Sequence, residues 1–269
     1  MDDDGSAQFG TGILGKIDRA GFESEILKTL LATSMFDLVE QLYIEGDASK
    51  HRLSQEEVEE IIISAAMNLY DSANSCNRNH GGMKKASDMI VAFLNTSGPS
   101  AAYQRVKALL SATHALSSYS LVLQHGVPFQ PVNIRVSSDP IGLIAKVLEQ
   151  NKNAYAELDH FISIGRNLVA AGLPQTQNAA TISGTQAERP ETPIGIPETP
   201  IIEPSLKRLE ALKTLAERRV IAMAIRAALD VDDFETAYSY VINRLQHASA
   251  GRSAPDSVPS LDRKDTDQQ

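Results

Sequence analysis

The histidines and the single cysteine are the side chains best suited to ligate a metal or act as nucleophiles, so their spacing comes first. The six histidines include no pair three or four residues apart, the spacing that would place two metal ligands on one helix face. Cys76 can form neither an internal disulfide nor a thiolate cluster, and no activating base adjoins it. The sequence therefore predicts no metal site, no cofactor and no catalytic cysteine or histidine.

Two further features could bind a ligand. His114 lies in an apolar stretch, where a core histidine bonded to a carbonyl or hydroxyl is favoured over a functional one. The Gly81-Gly82 pair precedes two lysines and could place an anion at a helix N-terminus, but a plain turn is favoured. No nucleophile elbow and no glycine-rich phosphate loop is present. An enzyme is therefore the disfavoured class.

Charge and composition exclude other functions. The formal charge of −9 argues against nucleic acid as a partner, because binding to phosphates needs clustered Lys and Arg. The basic residues of 205–229 interleave with glutamates, so a solvated face is favoured over a membrane-surface helix. We expect a soluble, cytosolic protein, because the chain shows no signal peptide and its apolar runs are too short to span a bilayer.

Apolar residues recur at helical spacing over most of the chain, so the elements that would position any site are helices. Ser54 and Glu57 fit a capping box, Gly126 fits a C-cap, and Asp139-Pro140 and Asp232-Asp233 fit helix starts. The predicted helices are 22–46, 54–70, 83–94, 100–125, 139–150, 154–171, 205–229 and 234–245. The predicted fold is all-α, an α-solenoid of stacked antiparallel helix pairs.

Composition divides the chain into five parts. A helical domain at 21–172 and a helical pair at 205–247 that continues the solenoid flank a linker at 173–204, rich in Pro, Thr, Gln and Gly. The linker, the N-terminus at 1–20 and the tail at 248–269 are predicted to be disordered, because such sequences bury too little apolar surface. Thr192 and Thr199 each precede a proline and are hypothetical phosphorylation sites within that linker.

The stretch around residue 126 is the most informative one. Ala108–Leu123 carries no formal charge and is predicted to be the central, buried helix. It leads into the loop Gly126–Asp139, which two prolines stiffen and in which 132–136 alternates weakly without a partner strand. The loop's apolar residues either pack along neighbouring helices, which is favoured, or form a partner surface. Phe129, Asn133 and Arg135 are the candidate residues for both roles.

Six sequence motifs carry a family resemblance. They are Gly81–Ser87, Leu110–Leu116, Gly126–Arg135, Val147–Asn151, Ser163–Leu168 and Asp233–Tyr238. Together, and in this order, they resemble the C-terminal region of the Sec39 domain family, fungal secretory-pathway subunits distantly related to the neuroblastoma-amplified-sequence protein. The likeness covers most of 22–246.

The resemblance implies a long α-solenoid that serves as a subunit of the Dsl-type tethering complex. Such a complex captures COPI-coated vesicles returning from the Golgi and engages SNAREs of the endoplasmic reticulum (ER). The implied partners are therefore other tethering subunits and ER SNAREs, with membrane association at the ER through them. The family offers no catalytic or cofactor residues to transfer.

The alternative to this function is a generic helical adaptor outside membrane traffic. Since family members are several times longer than this chain, we also expect a C-terminal fragment, a partial gene model or a truncated paralogue.

Overall fold

The structure, a computed structural model, describes residues 19–46, 53–96, 98, 100–174 and 206–245. Within these ranges the α-helices are α1 (Arg19–Ala32), α2 (Phe36–Val39), α3 (Gln55–Asp71), α4 (Gly81–Thr96), α5 (Ala101–Leu116), α6 (Val132–Val136), α7 (Gly142–Gln150), α8 (Leu158–Ala170), α9 (Leu206–Leu229) and α10 (Phe234–Tyr240). Short π-helical turns extend α2 and α10, and a 3-10 turn precedes α8. These ranges contain no β-strand, only one isolated bridge. The prediction of an all-α fold is confirmed.

The helices are stacked largely in chain order. Helix α3 packs on α1 and α4, α5 on α4 and α8, and α9 on α8 and α10. The short helix α7 packs on α9. Packing between near neighbours in the chain is the arrangement of helical solenoids, which present long surfaces rather than one enclosed pocket.

The prediction of one continuous helix over 22–46 is wrong. Helix α1 ends at Ala32 because Ser34 takes a left-handed conformation with φ 59°. The amides of Ser34 and Met35 donate to the carbonyls of Leu31 and Leu30, at 3.1 and 3.0 Å, which is the Schellman pattern of a helix end. Apolar spacing continues across this break, so periodicity alone did not reveal it.

The predicted helix 100–125 is also too long. Helix α5 ends at Leu116, and Gly126 lies in a later turn instead of capping it. The hydroxyl of Ser117 donates to the His114 carbonyl at 2.6 Å. Serine side chains compete in this way for backbone groups, and three serines occur within 117–120. The predicted central helix therefore lacks its last turns, although α5 does join the first helices of the stack to α8.

The predicted loop Gly126–Asp139 is wrong over 132–136, which forms helix α6. Helix α7 begins at Gly142, two residues after the predicted start at Pro140, but the Asp139 carboxylate does accept the Gly142 amide proton at 3.2 Å. The side chain of Asp233 likewise caps α10 by accepting the Thr236 amide proton at 3.0 Å.

The capping box at the start of α3 is confirmed. Ser54 Oγ accepts the Glu57 amide proton at 3.2 Å, and Glu57 Oε2 accepts the Ser54 amide proton at 2.7 Å. The Ser54 amide, and then the Ser54 hydroxyl at 2.9 Å, donate to the Glu57 carboxylate and so lower the pKa of that carboxyl.

The Gly81-Gly82 pair serves packing. Gly81 starts α4 at φ 57°, and a Cβ on Gly82 would lie 2.4 Å from the Leu69 carbonyl oxygen of α3. Only glycine lets α4 approach α3 so closely. The prediction of a plain turn that ends a helix is therefore wrong for this pair, because both glycines belong to α4, where they allow close packing.

The predicted disorder concerns segments that lie almost wholly outside the described residues. Of the proposed linker 173–204, only Leu173 and Pro174 are described, and Thr192 and Thr199 are not. The structure therefore leaves the N-terminal, linker and tail predictions, and both phosphorylation hypotheses, as predictions.

Candidate functional site

The chain between α5 and α7 carries the three candidate residues, and we call 117–141 the central connection. Its first part is held by two side-chain amides at the end of α7. Asn151 accepts the Ser120 amide proton at 2.9 Å and donates to the Ser120 carbonyl at 2.7 Å. Gln150 does the same for Val122, at 2.7 and 2.9 Å. Each amide satisfies both backbone groups of one residue, as a neighbouring strand would, so this segment is ordered without being helical.

A buried tyrosine of α3 holds the second part of the central connection. The Tyr70 hydroxyl donates to the Pro131 carbonyl at 2.9 Å and lies 2.9 Å from Thr113 Oγ1 of α5. Tyr70 and Thr113 carry one hydroxyl proton each, and the Thr113 hydroxyl also lies 2.8 Å from the Leu109 carbonyl, so the two hydroxyls and two carbonyls form one buried hydrogen-bond network. Burial raises the pKa of the Tyr70 hydroxyl far above its ordinary value, so it stays a donor. Two helices and the connection therefore meet at one buried oxygen.

The three predicted residues lie together on this connection and all make contacts within the chain. Asn133 Oδ1 accepts the Gln130 amide proton at 2.8 Å at the start of α6. Arg135 Nη1 lies 2.5 Å from Asp71 Oδ2 of α3. Phe129 is half-buried against the core. A structural use is thus visible for each, whereas a partner role for them stays a prediction.

The outer side of the central connection is apolar at several positions. The exposed aliphatic side chains are Val122, Leu123, Val127 and Val136. Among them, the backbone of Val122 is held by Gln150, and Pro131 within the same connection is held by Tyr70. Anchored backbone of this kind lowers the entropy cost of binding.

An ion pair joins the end of the connection to α9. Asp139 Oδ1 accepts from Arg219 Nη1 at 2.6 Å, and its other oxygen pairs with Nη2 of the same guanidinium. This hydrogen-bonded arginine lowers the pKa of the Asp139 carboxyl. Nothing local in the sequence indicates this pair, because its two residues lie 80 positions apart.

We expect Asp139→Asn to lower the free energy of unfolding by about 1 kcal/mol at pH 7. The folded-state pKa of Asp139 lies below its ordinary value, so its stabilisation is present above pH ~4 and is lost as the pH falls through the folded pKa. The difference between wild type and variant should therefore shrink towards pH ~2. Urea denaturation at a series of pH values measures it.

The matched control for the pH dependence of Asp139→Asn is Asp159→Asn. Asp159 is mostly exposed, and its ion pair with Arg244 lies in solvent. We expect that control to stay within about 0.5 kcal/mol of wild type. An Asp139→Asn deficit of constant size from pH 7 to pH 2 would contradict the role of the carboxylate charge.

A second candidate surface is an open polar cleft of about 520 Å³ between α8 and α9. It is lined by Asp159, Ile162, Ser163, Arg166, Asn167, Ala170, Lys213, Glu217 and Arg244. Acids offset two of its cations: Arg244 lies 2.9 Å from Asp159, and Lys213 lies 2.8 Å from Glu210. This charge-paired cleft contains neither histidine nor cysteine, so it offers no nucleophile–base pair of those types.

The other residues considered for chemistry have structural surroundings. His114 is half-buried instead of lying in the core, and its Nδ1 accepts the Arg78 amide proton at 3.4 Å with the Ser117 hydroxyl at 3.5 Å. Burial, and then the charge of Arg78, lower the pKa of His114. Cys76 is buried, which raises the pKa of its thiol to about 12. No group of three His, Cys, Asp or Glu in the described ranges could hold a metal ion.

Fold and surfaces together define the class, an all-α stack of helices with a rigid connection and open surfaces. The chain belongs to the family of the secretory pathway protein Sec39, whose family model matches residues 1–269. No curated protein matches the chain individually. In the ranges that the structure covers, no helix is long and apolar enough to cross a bilayer.

Proposed function

We propose that this chain is a non-enzymatic tethering or scaffold subunit in Golgi-to-ER retrograde vesicle transport. The observation that carries the proposal is the family match over the whole chain, to a secretory pathway protein. The stack supports it physically, because helices packed in chain order present an extended surface to partner helices.

The proposed partners are other tethering-complex subunits and ER SNAREs. Binding to them would hold the chain at the cytoplasmic side of the ER membrane, as a peripheral component. Nucleic acid is not a proposed partner, since the chain carries a formal charge of −9.

Helices α1 and α2 offer one surface for such partners. The exposed apolar residues of these helices, of the N-cap of α2 and of the π-helical turn that extends α2 are Phe22, Ile26, Met35, Leu38 and Leu42. The opposite side of the same helices buries Leu27, Leu31 and Val39 in the core. Apolar side chains on both sides are typical of a helix pair that a further helix covers.

The test is co-purification of the tagged full chain with ER tethering subunits and SNAREs from gently cross-linked cells, followed by mass spectrometry. We expect these proteins to be recovered with the wild type and much less with Gly165→Leu, which should disturb the helical stack. Circular dichroism of the purified chain establishes that the bait is helical. A helical wild-type bait that recovers none of them, in cells where the chain lies away from the ER, would favour a helical adaptor outside membrane traffic.

A further inference from the structure

We propose that the turn between α9 and α10, together with the exposed side of α10, is a docking surface for a basic amphipathic helix of a protein partner. We call this surface the aromatic–acidic patch. Its apolar members are Leu229, Val231, Phe234 and Tyr238, and its acidic members are Asp230, Asp232 and Glu235. It is separate from the central connection and from the polar cleft.

The apolar members are large and exposed. Phe234 is 62% exposed and Tyr238 is 70% exposed, and their spacing of four residues places them on one side of α10. Leu229 and Val231 precede them in the tight turn, at 44% and 47% exposure. Two neighbouring aromatic rings in water have a large apolar area available for burial by a partner, and aromatic side chains are enriched in interface centres.

The turn that carries the patch is rigidly bonded. The amides of Asp232 and Asp233 donate to the carbonyls of Leu229 and Ala228, at 3.1 and 2.9 Å, with Asp232 at φ 61°. On the inner side of α10, Ala237 is buried and the Tyr240 hydroxyl donates to the Tyr155 carbonyl at 3.0 Å. The patch is therefore preformed, so little conformational entropy is lost when it binds.

Acidic residues surround these apolar side chains, and the nearest basic residues in the sequence, Arg226 and Arg244, lie beyond the two ends of the segment. The segment 229–243 contains four acids and neither lysine nor arginine. Asp233 is engaged, because its carboxylate accepts from the Thr236 amide and, at 3.0 Å, from the Tyr155 hydroxyl. Asp230, Asp232 and Glu235 are exposed, and no ion pair within the described ranges includes them. A partner that buries the two aromatic rings would therefore bind more tightly if it placed Lys or Arg beside the acidic residues at the edge of the patch.

This combination selects the occupant. A helix with apolar residues at spacings of three and four, flanked by Lys and Arg, complements both parts of the patch. An anionic membrane surface does not, because the three carboxylates would be repelled by its headgroups. The chain's own residues 246–269 do not either, because they hold more aspartates than basic residues and two prolines. The patch would select the same kind of helix in a stack that serves another pathway.

The probe is a fluorescein-labelled 18-residue helical peptide of leucine and lysine, with a glutamate-for-lysine peptide of identical apolar face as its counterpart. Fluorescence anisotropy with the full chain should show binding of the lysine peptide only. The double variant Phe234→Ser/Tyr238→Ser should weaken the binding of the lysine peptide at least about tenfold. The triple variant Asp230→Asn/Asp232→Asn/Glu235→Gln should weaken it about tenfold at low salt and flatten its salt dependence.

The matched control is Leu206→Ser/Leu215→Ser, which removes exposed apolar residues from earlier turns of α9, outside the patch and outside the surface of α1 and α2, and should leave peptide affinity unchanged. Equal binding of both peptides, or equal binding by all variants, would overturn the proposal. So would binding of phosphatidylserine vesicles that is lost with the aromatic substitutions. Because the assay needs no ER protein, its failure is distinguishable from failure of the proposed function.

Discussion

Replacing Gly165 by leucine should lower the free energy of unfolding by about 3 kcal/mol, because α8 packs tightly on α9 at that residue. A Cβ on Gly165 would already lie 3.0 Å from Val220 Cγ2 and 3.9 Å from Ile144 Cδ1. Both neighbours are buried, with Val220 and Ile144 at 0% exposure, so neither can turn into solvent. The added side chain must therefore push α8 and α9 apart.

The measurement is chemical denaturation followed by circular dichroism. Ser163→Leu is the control, since Ser163 is an exposed residue of the same helix, and we expect it to stay within about 0.5 kcal/mol of wild type. Shortening the opposing side chain should relieve the strain, so Val220→Ala should cost less in a Gly165→Ala background than alone. A Gly165→Leu variant as stable as wild type would show that the two helices separate at no cost.

Separating α8 from α9 should also distort the polar cleft and the ion pair of Arg219 with Asp139. Helix α8 supplies Ser163, Arg166 and Asn167 to the polar cleft, and α9 supplies Arg219 to the ion pair with Asp139. The motif Ser163–Leu168, which carries part of the family resemblance, thus combines a packing glycine with exposed polar residues. Gly165 is explained by the close approach of α8 to α9 and not by a catalytic or binding role.

Local signals predicted much of the fold. The capping box at Ser54 and the cap at Asp233 depend on residues three positions apart, so the sequence displays both partners side by side. Apolar spacing predicted all-α packing for the same reason, because a helix buries one of its own faces. The missed break at Ser34 was local as well, but Thr33-Ser34 interrupts no apolar period.

The central connection could not be predicted in the same way. Its backbone is held by Gln150 and Asn151, which lie 28 and 31 residues from Val122 and Ser120. No residue near position 120 indicates these two partners. A run of uncharged residues therefore resembles a continuing helix. The motif Val147–Asn151 contained the missing partners, but its role becomes visible only when α7 is placed beside the connection.

The candidate residues show the same limit. Arg135 is paired with Asp71 across 64 positions, and Tyr70 reaches Pro131 across 61 positions. The prolines and apolar residues of the segment are visible in the sequence, but nothing there marks Tyr70 as the side chain that holds it. A buried tyrosine in an amphipathic helix looks like any other core residue until its hydroxyl partner is known.

Replacing Tyr70 by alanine should therefore have the largest effect on the central connection, and we expect a loss of about 4 kcal/mol in the free energy of unfolding. The ring is fully buried, so its removal leaves a cavity as well as unused hydrogen-bonding groups. Tyr70→Phe separates the two contributions. It should cost only about 1 kcal/mol, because the Pro131 carbonyl keeps the Ile134 amide at 3.0 Å and Thr113 can donate to the Leu109 carbonyl at 2.8 Å.

Hydrogen exchange distinguishes a local from a global consequence of these substitutions. In Tyr70→Phe, the amides of Asn133 and Ile134, which bond within the first turn of α6, should exchange faster while those of α8 stay protected. Tyr238→Phe is the control, because that hydroxyl lies on an exposed side chain, and it should change neither stability nor exchange. Unchanged protection of α6 in Tyr70→Phe would mean that the amides of α7 and the Arg135–Asp71 pair hold the connection without the buried hydroxyl.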